Sequence, residues 1–505
     1  MIVTRVIDQH IRDEILDSNH NHYLISASAG SGKTTILVEK AFSMIEKHLI
    51  KPYQQIAMIT FTRLATRQIR DKVKEYLLKL NKNEKYLNSI KIITTESFIL
   101  SEVIKPFIRD AFGKEFPRGE ELIQNYNSRF SNFDAGLLQV KSQKVVGSLA
   151  DRTRNFTYQL GLAVLKKSTN AQKYLKARFP VIMIDEYQDV DSDMHQLFMY
   201  LKNDLKIRLV IVGDIKQMLY EFRGAKEEIM KSLKENNEFK SYQLIHNFRS
   251  HLSIVNYSYQ FFKDELEIPN IECGENRIRF YSQQESLEEN IFNFINENSS
   301  TVNDTFAYLF ARRPIWEEEK GDWEKYNFLF VDKTPLDSSF PNYDVLEPVL
   351  KLHFDYENYN IYNFLDELNV GITNSTLNKA HSIKEALKID NNKVLKIVEQ
   401  LTGRILLEEE KNYFVETLEE QYRVNFLSEK PKRLALTIHG AKGLEFDHVF
   451  INANSFFDFN GNFLKQNHYV SITRPKKSLH IVINDGYESL LKELGISVEY
   501  TKHIY

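Results

Sequence analysis

The chain has one cysteine, Cys273, in 505 residues. A single thiol cannot build an intramolecular disulfide framework or a cysteine-ligated zinc site, and the scarcity fits a reducing, cytoplasmic setting. Cys273 itself reads as a small hydrophobe. No apolar run approaches the roughly 18 residues needed to span a bilayer. The opening Met1-Ile2-Val3-Thr4-Arg5 does not read as a signal peptide, so no membrane association is expected. Charge of one sign is lacking too: 66 Lys and Arg face 69 Asp and Glu, a net charge of −3. A nucleic acid partner would therefore need a locally basic groove, not a basic chain. Internal repeats and low-complexity tracts are absent, and Glu317-Glu318-Glu319 and Glu408-Glu409-Glu410 read as solvated faces. What remains is ordinary globular usage, 42% hydrophobic and 27% charged, at a length that implies roughly two to four domains. The 34 Phe and 26 Tyr are mostly core, with enough to spare for stacking platforms.

The stretch around which the chain is organised is Ser26-Ala27-Ser28-Ala29-Gly30-Ser31-Gly32-Lys33-Thr34-Thr35. An apolar run, Tyr23 to Ile25, leads in, and a helical pattern from Ile36 to Phe42 leads out. Strand, small-residue loop, Gly-Lys-Thr and helix make a phosphate cradle, in which backbone N–H groups and the helix N-terminus face the anion. Lys33 is suited to the β- and γ-phosphates and Thr34 to Mg²⁺. Ala27 occupies the usual first glycine position, so the alternative of a small-residue turn is weighed against the strand and helix that flank it.

Two further runs end in polar groups. Val181-Ile182-Met183-Ile184 reads as a buried strand delivering Asp185 and Glu186 at a sheet edge, where ligands bind. Asp185 suits Mg²⁺ and Glu186 the activation of water, the alternative being an ordinary solvated loop start. Leu209-Val210-Ile211-Val212 delivers Gly213-Asp214-Ile215-Lys216-Gln217, where Gln217 can hydrogen-bond a γ-phosphate or its water. Tyr220, Phe222 and Arg223 then set aromatics beside a cation, which reads either as packing or as a single-strand platform. Arg223, Arg249 and Arg474 are distant candidates for stabilising charge at a γ-phosphate, each set against a surface ion pair. His439-Gly440-Ala441-Lys442-Gly443-Leu444-Glu445 suits backbone contact with phosphate or nucleic acid. The helix Arg63 to Leu80 buries Ile69, Val73, Leu77 and Leu80. Its Arg67, Arg70, Lys72, Lys74 and Lys79 are either a solvated face or a nucleic-acid edge.

Apolar runs alternating with helical patterns predict an α/β fold with parallel sheets covered on both faces. Strands are expected at Tyr23–Ser26, Ile56–Phe61, Lys91–Thr94, Val181–Asp185 and Leu209–Val212. A second zone from near Gln243 has strands at Arg277–Tyr281, Phe306–Phe310, Leu434–Ile438, Val449–Ile451, Tyr469–Ile472 and Leu479–Ile483. Residues 101–178 show no obvious strand and read as a helical insertion, and 328–420 as a second one.

Taken in order, these stretches resemble a superfamily-1 helicase of the UvrD/PcrA type. The motifs are Ala27–Thr35, Ile59-Thr60-Phe61-Thr62, Thr94-Thr95-Glu96-Ser97-Phe98, Asp185-Glu186-Tyr187-Gln188-Asp189, Gly213–Gln217 through Ala225, Asn247-Phe248-Arg249-Ser250, His439–Phe446 and Tyr469–Arg474. Ser101 to Gly113, Asp193 to Leu201 and Thr334-Pro335-Leu336-Asp337 are similar to the helicase-like GajB family of Gabija anti-phage systems. The resemblance implies two RecA-like parallel-sheet domains closing on ATP, each with a mainly helical insertion. Domain 1A would be 1–100 and 179–242, 1B 101–178, 2A 243–325 and 431–505, and a reduced 2B 326–430. It implies Lys33, Thr34, Asp185, Glu186, Gln217, Arg249 and Arg474 at the nucleotide, with Ala27, Gly30, Gly32 and Thr35 in the cradle. Glu445 matches a ribose-side contact, Phe248 the ring stacked on adenine, and Gln9 the adenine-reading Gln, though on a longer loop. Phe61, Tyr220, Phe222, Arg223 and His439 would contact single-stranded DNA.

Departures from that pattern are Glu96 for a common His, Arg63-Leu64 for Asn-Lys, Thr35 for Arg, Met218 for Ser and Pro475 for Ala. They leave the ATP set intact and alter DNA-side and supporting positions. The implied activity is a DNA-stimulated ATPase of helicase type using ATP, or another nucleoside triphosphate, with Mg²⁺. It would act in anti-phage defence, sensing DNA ends or single strands and signalling within a hetero-oligomeric complex to an OLD-family nuclease like the GajA subunit. A processive 3′–5′ repair helicase and a nucleotide-binding scaffold subunit are the alternatives.

Overall fold

A computed structural model of the chain describes residues 6–80, 84–221, 224–263, 273–282, 293–295, 303–311, 315, 317–318, 323–337, 342–368, 370–458 and 460–499. The chain forms two compact units. One is made of Met1–Ile278, Gly443–Glu445 and Phe456–Ser478, the other of Arg279–Lys442, Phe446–Ser455 and Leu479–Tyr505.

The first unit carries β1 (Tyr23–Ala27), β2 (Ile56–Thr60), β3 (Ile90–Thr94), β4 (Ile123–Phe130), β5 (Val145–Leu149), β6 (Val181–Ile184), β7 (Arg208–Gly213) and β8 (Lys240–Leu244). Six of them form one sheet in the order β3-β2-β6-β7-β1-β8, every pairing parallel. Parallel strands need helical crossovers and are covered on both faces, and β2 and β6 are buried at every position. Alternate residues feed two cores. Ile25, Met58, Met183 and Val212 pack under α1 (Gln9–Asp17), α2 (Lys33–Glu46) and α3 (Arg63–Lys79). Leu24, Ile59, Ile184 and Ile211 pack on the opposite face with Phe98, Leu160 and Leu197. The β1/β7 and β6/β7 crossovers bring the C-terminal ends of β1, β6 and β7 side by side at one edge.

A second sheet is ordered β11-β12-β10-β13-β14-β9, with β9 (Ile278–Ser282), β10 (Phe306–Phe310), β11 (Leu329–Phe330), β12 (Arg433–Thr437), β13 (Phe446–Asn452) and β14 (Pro475–Ile483), and all of it except Ile278 and Pro475–Ser478 belongs to the second unit. Its central pairs are parallel. Between Tyr343 and Phe426 the second unit is helical, with a core of its own around Leu346, Leu350, Phe364, Val398 and Phe414. Both sheets are α/β, as the alternation of patterns predicts.

Three elements differ from the sequence reading. Tyr469–Ile472 is not a strand but the end of a helix, Lys465–Ile472, in which His468 through Ile472 are all buried. A short apolar run buried on every side has the same pattern in either conformation. Residues 101–178 do contain strands: β4 and β5 pair in parallel as a separate two-stranded sheet. The polar sequence of β4, Ile-Gln-Asn-Tyr-Asn-Ser-Arg-Phe, hides it. The sixth strand of the first sheet, β8, buries only Tyr242 and Leu244, too weak an alternation for its short length. Among the described residues no helix is long and apolar enough to cross a membrane.

One carboxylate gathers the start of the segment after β5. Asp193, buried near the start of the helix Ser192–Asn203, accepts from Arg154 Nε (3.0 Å) and Nη2 (2.9 Å), the Asn155 N–H (2.8 Å) and Gln159 Nε2 (3.0 Å). Arg154 is half exposed, so water can replace part of what it would lose. Asp193→Ala is expected to lower stability by about 2 kcal/mol in urea unfolding, chiefly through the orphaned Asn155 amide and Gln159.

Candidate active site

The loop between β1 and α2 turns on two glycines. Gly30 (φ +71°) and Gly32 (φ +80°) are left-handed, and Ser31 Oγ donates to the Ser28 carbonyl (2.7 Å). Gly32 precedes α2, and no side chain caps that helix, so its first amides are left for an anion. The 245–249 segment backs the loop: Asn247 Nδ2 donates to the Ala29 carbonyl (2.8 Å), and the Phe248 N–H to that of Gly30 (2.9 Å). Lys33, Thr34 and Thr35 open α2, and Ala27 is buried as the last residue of β1.

The end of β6 faces the start of α2. The Thr34 hydroxyl donates to Asp185 Oδ2 (3.1 Å), and Lys33 Nζ lies 4.0 Å from Glu186 Oε1. Burial, and then the charge of Glu186, push the Asp185 carboxyl above its ordinary range. A buried carboxylate paired with a hydroxyl, and crowded by a second carboxylate, is a hard-oxygen donor set that a divalent cation would relieve. Thr34 and Asp185 thus fit Mg²⁺ by their chemistry.

From Glu186 a hydrogen-bonded path crosses the sheet edge. Gln188 donates its amide to Glu186, and its carbonyl accepts the Asp214 N–H (2.9 Å). Asp214 Oδ2 accepts from Gln217 Nε2 (2.7 Å), and Gln217 Oε1 accepts from Arg474 Nη2 (3.1 Å). Asp214 also pairs with Lys216 (2.9 Å). Arg474 is 1% exposed, and it is held further by the carbonyls of Val470 (2.8 Å, from Nε) and Leu444 (3.3 Å, from Nη1). Burial, with Arg249 adding to it, pulls its pKa below the ordinary value, while Glu186 and Glu445 oppose that. Arg249 donates Nε to Glu445 Oε2 (2.7 Å) and Nη1 to the Thr473 carbonyl (3.0 Å). Burial pushes the Glu445 carboxyl up, but Arg249 and Lys476 outweigh it and hold it below the usual range. Arg249, Glu445 and Arg474, which the resemblance assigns to a second domain, fall within the same compact unit as the phosphate loop. The buried helix Lys465–Ile472 accounts for this: its Tyr469 hydroxyl accepts the Ala29 N–H (3.5 Å).

Gln9 is not brought to the loop. It is exposed, and its amide donates to Asp13 of its own helix (2.8 Å). The residue of α1 that reaches the loop is Arg12. It donates to Asp8 Oδ1 (2.8 Å) and to the Ser31 carbonyl (2.8 Å), and its guanidinium lies 4.9 Å from the centre of the Phe248 ring. Asp8 Oδ2 in turn accepts the N–H groups of Ile245 (2.7 Å) and His246 (2.9 Å). Phe248 is 56% exposed, so much of its ring is open to a planar group. Sequence reasoning missed Arg12, Asp8 and Gln188. An i,i+4 Asp-Arg pair on an amphipathic helix gives no sign that it is buried.

Of the expected DNA contacts, Phe61 and Tyr220 are half-buried in the first unit and His439 is half-buried in the second. Phe61 packs against the core that holds Ile59. Phe222 and Arg223 lie outside the described residues. Glu96 accepts a hydrogen bond from the Thr157 hydroxyl (3.2 Å). Gly443 is tied to α3 through Gln68 Nε2, which donates to its carbonyl (2.9 Å).

Residues 12–223 match the family description "AAA domain", and residues 262–486 match "UvrD-like helicase C-terminal domain". The chain is similar to Gabija protein GajB of Bacillus cereus (strain VD045), at 33% identity over 96% of this chain and 98% of that protein. It is similar to a probable DNA helicase II homolog of Mycoplasma pneumoniae, at 24% identity over 76% of this chain and 61% of that one. It also resembles the ATP-dependent DNA helicase Rep of Escherichia coli, at 26% identity over 45% and 39% of the two chains.

The fit between the loop and its backing segment sets an expectation. A Cβ on Gly30 would meet Asn247 Oδ1 at 2.7 Å and the Arg249 Cβ at 2.9 Å, at a φ that disfavours any side chain. Gly30→Ala should lower the melting temperature, by the equivalent of about 1–3 kcal/mol, and weaken binding of a nucleoside triphosphate analogue.

Proposed function

This chain belongs to the UvrD-like superfamily-1 helicases and is an ATP-dependent enzyme of that type, and we propose that it works as a DNA-stimulated ATPase in anti-phage defence, in step with a partner nuclease. The observation that carries the reading is the path from Lys33 and Glu186 through Gln188, Asp214 and Gln217 to Arg474. A site that only bound nucleotide would need the loop alone. A path that joins the end of β6 to a buried arginine suits a site in which hydrolysis changes contacts elsewhere.

In this reading the loop amides and Lys33 hold the β- and γ-phosphates. Thr34 and Asp185 hold Mg²⁺, which when bound neutralises charge on the phosphate oxygens. Glu186 takes the proton of the attacking water, with Gln188 fixing its second oxygen. Arg249 and Arg474 supply positive charge where negative charge develops, and Gln217 ties Arg474 to the sheet edge. The adenine lies on Phe248, with Glu445 on the ribose side. By resemblance, Phe61, Tyr220, Phe222, Arg223 and His439 are each candidate contacts to single-stranded DNA. The domain assignment follows the 1A, 1B, 2A and 2B layout with its reduced 2B. The near full-length similarity to Gabija protein GajB supports the defence role, and the resemblance to that family adds the expectation of a nuclease partner of the OLD family.

The test is ATP turnover by the purified chain with and without single-stranded DNA, and with and without such a nuclease. Glu186→Gln is expected to cut turnover by about 10²–10⁴ while leaving nucleotide affinity within a few-fold. Robust strand displacement on a 3′-tailed duplex by the isolated chain would favour a processive helicase instead. Defence that survives Glu186→Gln and Lys33→Ala would leave only a scaffold role.

A further inference from the structure

Thr60 is the last residue of β2 and is wholly buried, yet among the described residues its hydroxyl makes no hydrogen bond. A buried hydroxyl without a partner is costly and uncommon, so its surroundings are informative. β2 pairs with β6 with Ile59 opposite Ile184, and the Asp185 N–H donates to the Ile59 carbonyl (3.0 Å). Thr60 therefore follows Ile59 as Asp185 follows Ile184. Met58 and Met183 face the core under α2 and α3, and Ile59 and Ile184 face the other one. By the two-residue alternation of a strand, Thr60 and Asp185 share the face toward α2. It is on that face that Thr34 donates to Asp185. Neighbouring strands stand about 4.8 Å apart, so the two positions are separated by roughly the span of one bridging water.

We propose that Thr60 is a positioning residue for the divalent cation, its hydroxyl holding a metal-bound water beside Asp185. The proposal rests on the nucleotide reading of this site and adds to it an oxygen from a strand that the phosphate loop and the paired carboxylates do not use. The hydroxyl acts from outside the direct ligands and fixes the water's orientation, as outer partners of metal sites do.

Two measurements on the full chain test this. Thr60→Val keeps the side-chain shape and removes the hydroxyl. The metal-free variant is expected to melt above the wild type, because an unsatisfied polar group is gone. Mn²⁺ titrated into the complex with a non-hydrolysable ATP analogue, followed by electron paramagnetic resonance, should bind about 10-fold more weakly to the variant. Affinity for the analogue in EDTA should be unchanged, and Thr60→Ser should restore Mn²⁺ binding. Equal Mn²⁺ affinity in wild type and Thr60→Val, or a loss that Thr60→Ser does not rescue, overturns the proposal. If Thr60→Val fails to fold, Thr60→Ala against Thr60→Ser makes the same comparison. A wild-type chain that binds no analogue at all overturns the nucleotide reading itself, and Thr60's role with it. Normal analogue binding with equal Mn²⁺ affinities removes the role of Thr60 alone.

Discussion

Two carboxylates that follow one another at the end of a buried strand repel, and the rest of the site is arranged around that repulsion. Asp185 continues the direction of β6 and meets the Thr34 hydroxyl. Glu186 leaves it by adopting a left-handed backbone (φ 57°, ψ 39°), which costs a residue with a side chain about 1 kcal/mol or more. That turn separates the two acids and points them at different partners, Glu186 toward Lys33 and Gln188. The charge that remains crowded at Asp185 is of the kind a cation would relieve.

The arginine side shows the complementary device. Arg474 is stripped of water as the chain folds, and its fixed hydrogen bonds offset part of that loss. In the proposed reading, a guanidinium held in this way would need little reorganisation as negative charge grew beside it, the condition under which electrostatic stabilisation is strongest. Arg249, paired with a half-exposed Glu445, is less constrained and can exchange partners more readily.

Legibility in the sequence followed how far a feature depends on neighbours close along the chain. The loop from Ala27 to Thr35, the acids after β6 and the polar group after β7 were readable, because each is a local pattern of strand, turn and side chain. The parallel α/β class was readable for the same reason, from apolar runs alternating with helices. The helix at Tyr469–Ile472 was not, because burial on every side erases the periodicity that separates helix from strand. Arg12 was unreadable because its meaning comes from Ser31, Phe248 and the amides of Ile245 and His246, partners that only the folded chain supplies. Gln9 illustrates the converse: a residue at a motif-like position whose side chain is occupied within its own helix.

The path of the chain carries a consequence for genetics. The unit that holds the phosphate loop is interrupted after Ile278 and resumes only at Gly443–Glu445 and Phe456–Ser478. A gene fragment ending at Ile278 would encode the whole cradle, both acids and Arg249, yet omit Glu445, Tyr469 and Arg474. Its product would carry every recognisable nucleotide motif of the N-terminal half while leaving Gln217, Arg249 and the Ala29 amide without the groups they meet in the intact chain. Frameshifts and early stop codons anywhere before residue 474 therefore leave that unit incomplete, however much of the first sheet they spare.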